Sequence, residues 1–221
     1  MKAHVQNPTR AGFTLIEMMI VLAVLAVILV LAAPSFGKLI DSRRVRGVSD
    51  QFQTDVQFTR AEAASRQEMM GISFKPPAAA MSCYIIHTCG SYTAANCKCD
   101  CSAVAGGRCP NPAVVNDPPR EVRTVQLPAA DGASLVPVDK NDDPMAGVNS
   151  HINFDPATGG LSAFYELGLS VVDLPPDKAF WAKTSSTMSG STAAVRSIVN
   201  VSGRPNACKP AGSSINGLAP C

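Results

Sequence analysis

Hydrophobic and polar positions follow three different rhythms along this chain. Residues 18–33 read MMIVLAVLAVILVLAA, one apolar run without a charge. Counted over 13–33 the apolar segment spans about 31 Å as a helix at ~1.5 Å per residue, enough to cross a hydrocarbon core of about 30 Å. A secretory signal has an apolar core of only about 7–15 residues and a small-residue cut site after it. The pattern therefore predicts a membrane-spanning helix over 13–34. Lys2 and Arg10, with no acid among the first twelve residues, would hold the leader on the cytoplasmic side. Glu17 interrupts the apolar stretch, at a cost of about 2.5–3.5 kcal/mol in hydrocarbon, and calls for a cationic partner.

After Pro34 the period becomes helical. Phe36, Ile40, Val48, Phe52, Val56 and Ala63 form one apolar stripe, with Asp41, Arg43, Asp50, Asp55 and Arg60 on other faces. The helix is expected to run to about Gln67 and stop by Gly71, with a bend where Pro34 removes a backbone donor. Beyond it the rhythm is that of strands, expected at 71–75, 83–88, 121–127, 134–138, 151–154 and 195–201, with weaker candidates at 161–165 and 169–173. Pro76-Pro77, Pro118-Pro119, Gly159-Gly160 and Pro175-Pro176 punctuate them. A lone amphipathic helix is only marginally stable, so its stripe needs a sheet to cover it. The predicted class is α+β: a long N-terminal helix, membrane-spanning in its first half, packed against an antiparallel β-sheet head. The predicted segments are a leader at 1–12, the spanning helix at 13–34, its amphipathic continuation at 35–70 and a β-rich head at 71–221, with an unusual loop at 89–119.

Composition adds two constraints. The chain is 46% hydrophobic, 16% charged and 5% aromatic with formal net charge +2, which excludes disorder throughout and a uniformly basic nucleic-acid binder. All eight cysteines (Cys83, Cys89, Cys97, Cys99, Cys101, Cys109, Cys208 and Cys221) follow the apolar run, the usage of a domain exported to an oxidising compartment and held by disulfides. Spacing does not fix the pairing, although Cys208 and Cys221 lie conveniently for a C-terminal loop. Cys97, Cys99 and Cys101 would point to alternate sides of an extended strand, and no CxxC pair exists, so disulfides are preferred to a zinc or iron–sulfur site. No metal and no cofactor is expected.

Catalytic chemistry has little support. His87 and His151 come without a nucleophile or metal-ligand motif, and Ser185, Ser186, Thr187 and Ser189 read as an exposed loop. The acidic stretch at 139–143 lacks the spacing of an EF-hand and reads as a solvated connection. The C-terminal 27 residues contain Arg196, Arg204 and Lys209 and no acid, a local patch able to contact phosphates, though with no aromatic side chain for base stacking.

Residues 11–17, AGFTLIE, resemble the class III signal of type IV pilins and type II secretion pseudopilins. The resemblance implies that a prepilin peptidase cuts between Gly12 and Phe13 and methylates the new amino group of Phe13. It also implies that Glu17 pairs with the amino terminus of a neighbouring subunit, and that the helix, with Pro34, packs in a filament. The chain would sit in the bacterial inner membrane as a single-pass protein with its head in the periplasm, then in a pilus or pseudopilus. Phe36, the basic cluster at 43–46, FTRAEAASRQ at 58–67, INFDPATGG at 152–160 and VRSIVNVSGRPNACKP at 195–210 resemble the GspH/FimT minor pilin group, whose ARSEA segment stands here as TRAEA. That narrower resemblance implies a minor type IV pilin whose partners are other pilin subunits. Two alternatives stay open: a type II secretion pseudopilin, and a pilus-borne subunit that binds DNA for uptake.

Overall fold

The computed structural model describes residues 12–78, 81–91, 93, 97–109, 117–139, 141–145, 149–167, 170–173 and 179–221, with the backbone alone at 31–35, 76–78, 163–167 and 170–173. The leader through residue 11 and the Pro175-Pro176 punctuation fall outside them, as does the side chain of Pro34. The chain divides into two compact units, Met1–Leu39 and Ile40–Cys221. One helix, α1 (Leu15–Arg66), begins in the first and ends in the second, and is helical through position 34.

In the first unit Thr14 caps the helix. Its Oγ1 accepts from the Glu17 N–H at 3.3 Å, and Thr14-Leu15-Ile16-Glu17 has the capping-box spacing. The side chains that follow are exposed, from Leu15 at 79% to Val30 at 73%. Here the membrane-spanning expectation is corrected: among the described residues no helix is long and apolar enough to cross a membrane. The helix starts at Leu15 rather than Phe13. Glu17 stands in its first turn, inside the stretch that would have to cross. The single-pass inner-membrane placement is corrected with it.

In the second unit the helix buries Asp41, Val45, Ser49, Phe52, Val56, Thr59 and Ala63, spaced by fours and threes along one face. The stripe is set differently from the one expected, since Ile40 is half exposed and Asp41 and Val45 take the inner positions. The helix stops at a left-handed Gln67 (φ 55°), where the Glu68 N–H reaches back to the Ala63 carbonyl at 3.3 Å in a Schellman turn. Gly71, expected as the stop, lies instead inside the first strand.

The strands are β1 (Met70–Ala78), β2 (Met81–Thr88), β3 (Glu121–Pro128), β4 (Ala133–Val138), β5 (Asn149–Phe154), β6 (Leu161–Leu167), β7 (Ser170–Asp173), β8 (Phe180–Ser186), β9 (Ala194–Val199) and β10 (Pro205–Cys208). They form two antiparallel sheets, a six-stranded one in the order β3-β2-β1-β5-β6-β7 and a four-stranded one in the order β10-β9-β8-β4. Phe52, Val56 and Ala63 of the helix meet Ile72, Phe74, Tyr84, Ile86, Ile152 and Phe154 of the larger sheet and Leu135, Phe180 and Val199 of the smaller one. Edge-to-face contacts at 5.7 Å join Phe52 to both Phe74 and Tyr84. Val45 seats a second cluster with Ala133, Val195 and Ile215. β8 was not anticipated: Ser185 and Ser186, read as loop, close a strand whose inner positions are Phe180, Ala182 and Thr184.

Candidate functional site

Residues 12–14 are exposed and non-helical, so the Gly12–Phe13 bond lies in open chain immediately before the capped start of α1. A protease needs such a segment, because a helical peptide bond must first unfold to be cut. Glu17 stands in the first helical turn, where a carboxylate is favoured by the helix dipole. The capping relation of Thr14 and Glu17 was legible in the TxxE spacing, and the sequence reading passed over it.

The head is keyed to the helix by buried polar groups as well as by apolar packing. Asp41 accepts from Ser186 Oγ at 2.6 Å and from Ser191 Oγ. Ser49 and Ser197 share a hydrogen bond at 3.1 Å. Asp55, only 1% exposed, accepts from the Tyr84 hydroxyl at 2.6 Å and from Arg123 Nη1 at 2.7 Å. Burial, and then the Asp55 bond, push the Tyr84 phenol far above its ordinary pKa. Of these partners the sequence singled out Ser186 alone, and as part of an exposed loop, since each lies far away along the chain.

The outer face of the larger sheet is covered by the cysteine-rich loop. Four disulfides join Cys83 to Cys101, Cys89 to Cys97, Cys99 to Cys109 and Cys208 to Cys221, and no described cysteine is free. Residues 97–100 are irregular rather than extended in a strand, so Cys99 and Cys101 do not face apart: both pack with Cys83 and Ile85. Beneath the loop His87 is fully buried, with Nε2 2.8 Å from Ser73 Oγ. Burial lowers its pKa to about 4, the charge of His151 acts in the same direction, and the Thr88 carbonyl opposes both. Donor atoms of His87, Cys89 and Cys97 lie within 4.8 Å of one another. Both sulfurs are consumed by their mutual disulfide, which leaves the imidazole alone as a potential ligand. Gly71 is required on this face: a Cβ there would lie 2.3 Å from Asn153 Oδ1 and 2.8 Å from His87 Cε1.

The three basic candidates have different surroundings. Arg196, on β9, is half-closed by Asp142, whose Oδ1 lies 2.5 Å from Nε and Nη2. The acidic stretch read as a solvated connection thus supplies this arginine's partner. Lys209 follows Cys208, and its backbone bonds to Ala219 and Cys221. Arg204 is exposed in the turn between β9 and β10, its N–H held by Asn200 Oδ1 at 3.0 Å, and it faces a cavity that Arg60 also lines.

Residues 7–33 match the prokaryotic N-terminal methylation motif. No curated protein and no solved structure matches the chain. The motif is prepilin-type and supports membership of the broad type IV pilin and pseudopilin superfamily, and the helix with antiparallel sheets is pilin-like in arrangement. The match ends at residue 33, before the head begins, and so carries no assignment to a subgroup.

Proposed function

We propose that the chain is a filament subunit, a minor type IV pilin of the GspH/FimT kind, which acts through packing surfaces rather than catalysis. One observation carries the reading: the methylation motif coincides with an exposed, non-helical Gly12–Phe13 bond followed at once by a capped helix with bare apolar side chains. A prepilin peptidase would cut after Gly12 and methylate Phe13. The apolar stem would then pack among the stems of other subunits, with Glu17 facing a neighbour's amino group. An unpaired carboxylate in such a bundle is penalised, and one facing a fixed amine is not. The stapled head would present the contact surface. The same motif serves type II secretion pseudopilins, which keeps that role as the second reading. Direct DNA binding through Arg196, Arg204 and Lys209 has less support, because Arg196 is already ion-paired.

Mass spectrometry of the mature amino terminus tests the proposal. The expected species begins at Phe13 and carries one added methyl group. A chain that retains residues 1–12, or one cut beyond Ala33, overturns it.

A further inference from the structure

The helix and two turns of the head border a half-open cavity of about 600 Å³. Arg60 of α1 and Arg204 of the β9–β10 turn both line it, among small apolar neighbours that include Ala61, Ala64, Pro156 and Pro205. No carboxylate lines it among the described residues. Arg60 is held in a fitted slot: its Nε donates to the Gly159 carbonyl at 3.2 Å. Gly159 and Gly203 both have positive φ, 64° and 72°. A Cβ at Gly159 would lie 2.7 Å from Arg60 Nε, and one at Gly203 would lie 2.6 Å from the Gly159 oxygen and 3.1 Å from Arg60 Cδ. With Nε anchored, the outer Nη edge remains to donate, and neither arginine forms an ion pair among the described residues.

We propose that this cavity receives a carboxylate on an acidic peptide segment of a partner protein, gripped by Arg60 and Arg204. A guanidinium fork matches a carboxylate bidentately, and an anchored fork loses less freedom on binding than a free one. A nucleic acid fits less well. Backbone recognition draws its affinity from several phosphate contacts, and single strands add stacking on aromatic rings. Among the described residues two cations and no aromatic ring line this cavity, and Arg196, which would extend a cationic track, is spent on Asp142. The small apolar lining suits the methylenes of a glutamate instead. The site lies wholly within Ile40–Cys221 and needs nothing from residues 12–17.

Calorimetric titration of the full chain with the blocked tetrapeptide Ac-Ala-Glu-Glu-Ala-amide, its glutamine twin and a short oligothymidylate tests the site. The acidic peptide is expected to bind saturably and the twin not at all. Arg204→Gln should weaken binding about tenfold, the loss of one charge-assisted hydrogen bond, and leave the melting temperature unchanged. Arg60→Lys, which keeps the charge and loses the fork, should weaken it as well. Equal response to peptide and twin, or indifference to Arg204→Gln, overturns the proposal. Tighter binding of the oligothymidylate that is lost in Arg204→Gln overturns it in favour of a nucleic acid.

Discussion

At the scale of single residues, His87 ties stability to acidity. The folded state holds it neutral, with a pKa of about 4 against an ordinary 6.5, first because burial disfavours the charged ring. Between those values the unfolded chain takes up a proton that the folded chain refuses. Stability is therefore fully present above about pH 6.5 and falls as the pH drops toward 4, by on the order of 3 kcal/mol. Asp100 and Glu121 have lowered pKa values and act in a more acidic range, losing their contribution only as the pH falls through the carboxylate region. Urea unfolding at pH 7, 6, 5 and 4.5 should show the midpoint sliding downward, and His87→Gln should flatten that slope; an unchanged slope in the variant would assign the loss to other groups. The imidazole was visible in the sequence as a histidine without a motif. Its burial was not, because the cover is a loop rich in glycine and cysteine rather than a hydrophobic segment. Asp55 was hidden for a related reason: a helical aspartate reads as solvent-facing until Tyr84 and Arg123 arrive from strands nearby in space and distant in sequence.

At the scale of elements, the strands most readily seen were those with β-branched and aromatic residues between glycine or proline punctuation, β2, β3 and β5 among them. β8 was missed because its inner residues after Phe180 are Ala182 and Thr184, too weakly apolar to mark a period of two. The helix ends where it was expected, next to Gln67, but its stop was assigned to Gly71 because a non-glycine residue, Gln67, adopts the left-handed conformation usually given to glycine. The disulfides divide the labour. Cys83–Cys101 spans 18 positions and clamps the loop onto the sheet, whereas Cys208–Cys221 spans 13 and closes the tail. Loop closure sets each at about 3 kcal/mol. Replacing Cys83 and Cys101 together by serine should lower stability by about that amount and expose 97–109 to limited proteolysis. The Cys208→Ser, Cys221→Ser chain should instead be nicked only within 209–220. Identical cleavage maps would contradict this division.

At the scale of the whole molecule, two compact units differ in what they leave bare. The first shows solvent a row of large apolar side chains from Phe13 to Val30, far more than an isolated soluble protein usually exposes, while the second buries its own core. The full chain is therefore expected to self-associate in detergent-free buffer, and a chain beginning at Ile40 to elute as a folded monomer; light scattering after size exclusion distinguishes them. A full-length monomer, or an aggregated truncation, would show that the bare row is not what drives association. The apolar run itself was plain in the sequence. Its reading as a membrane span does not hold among the described residues, because counting letters from Phe13 takes no account of a helix that starts at Leu15 with Glu17 in its first turn.

The cap at Thr14 has one more implication. Were the bond before Phe13 broken, a fresh ammonium would stand next to the positive pole of a long row of aligned peptide dipoles, where like meets like. The Glu17 carboxylate, one turn in, is the counter-charge that the same strand of peptide already carries, so each copy brings its own neutralisation before it ever meets another.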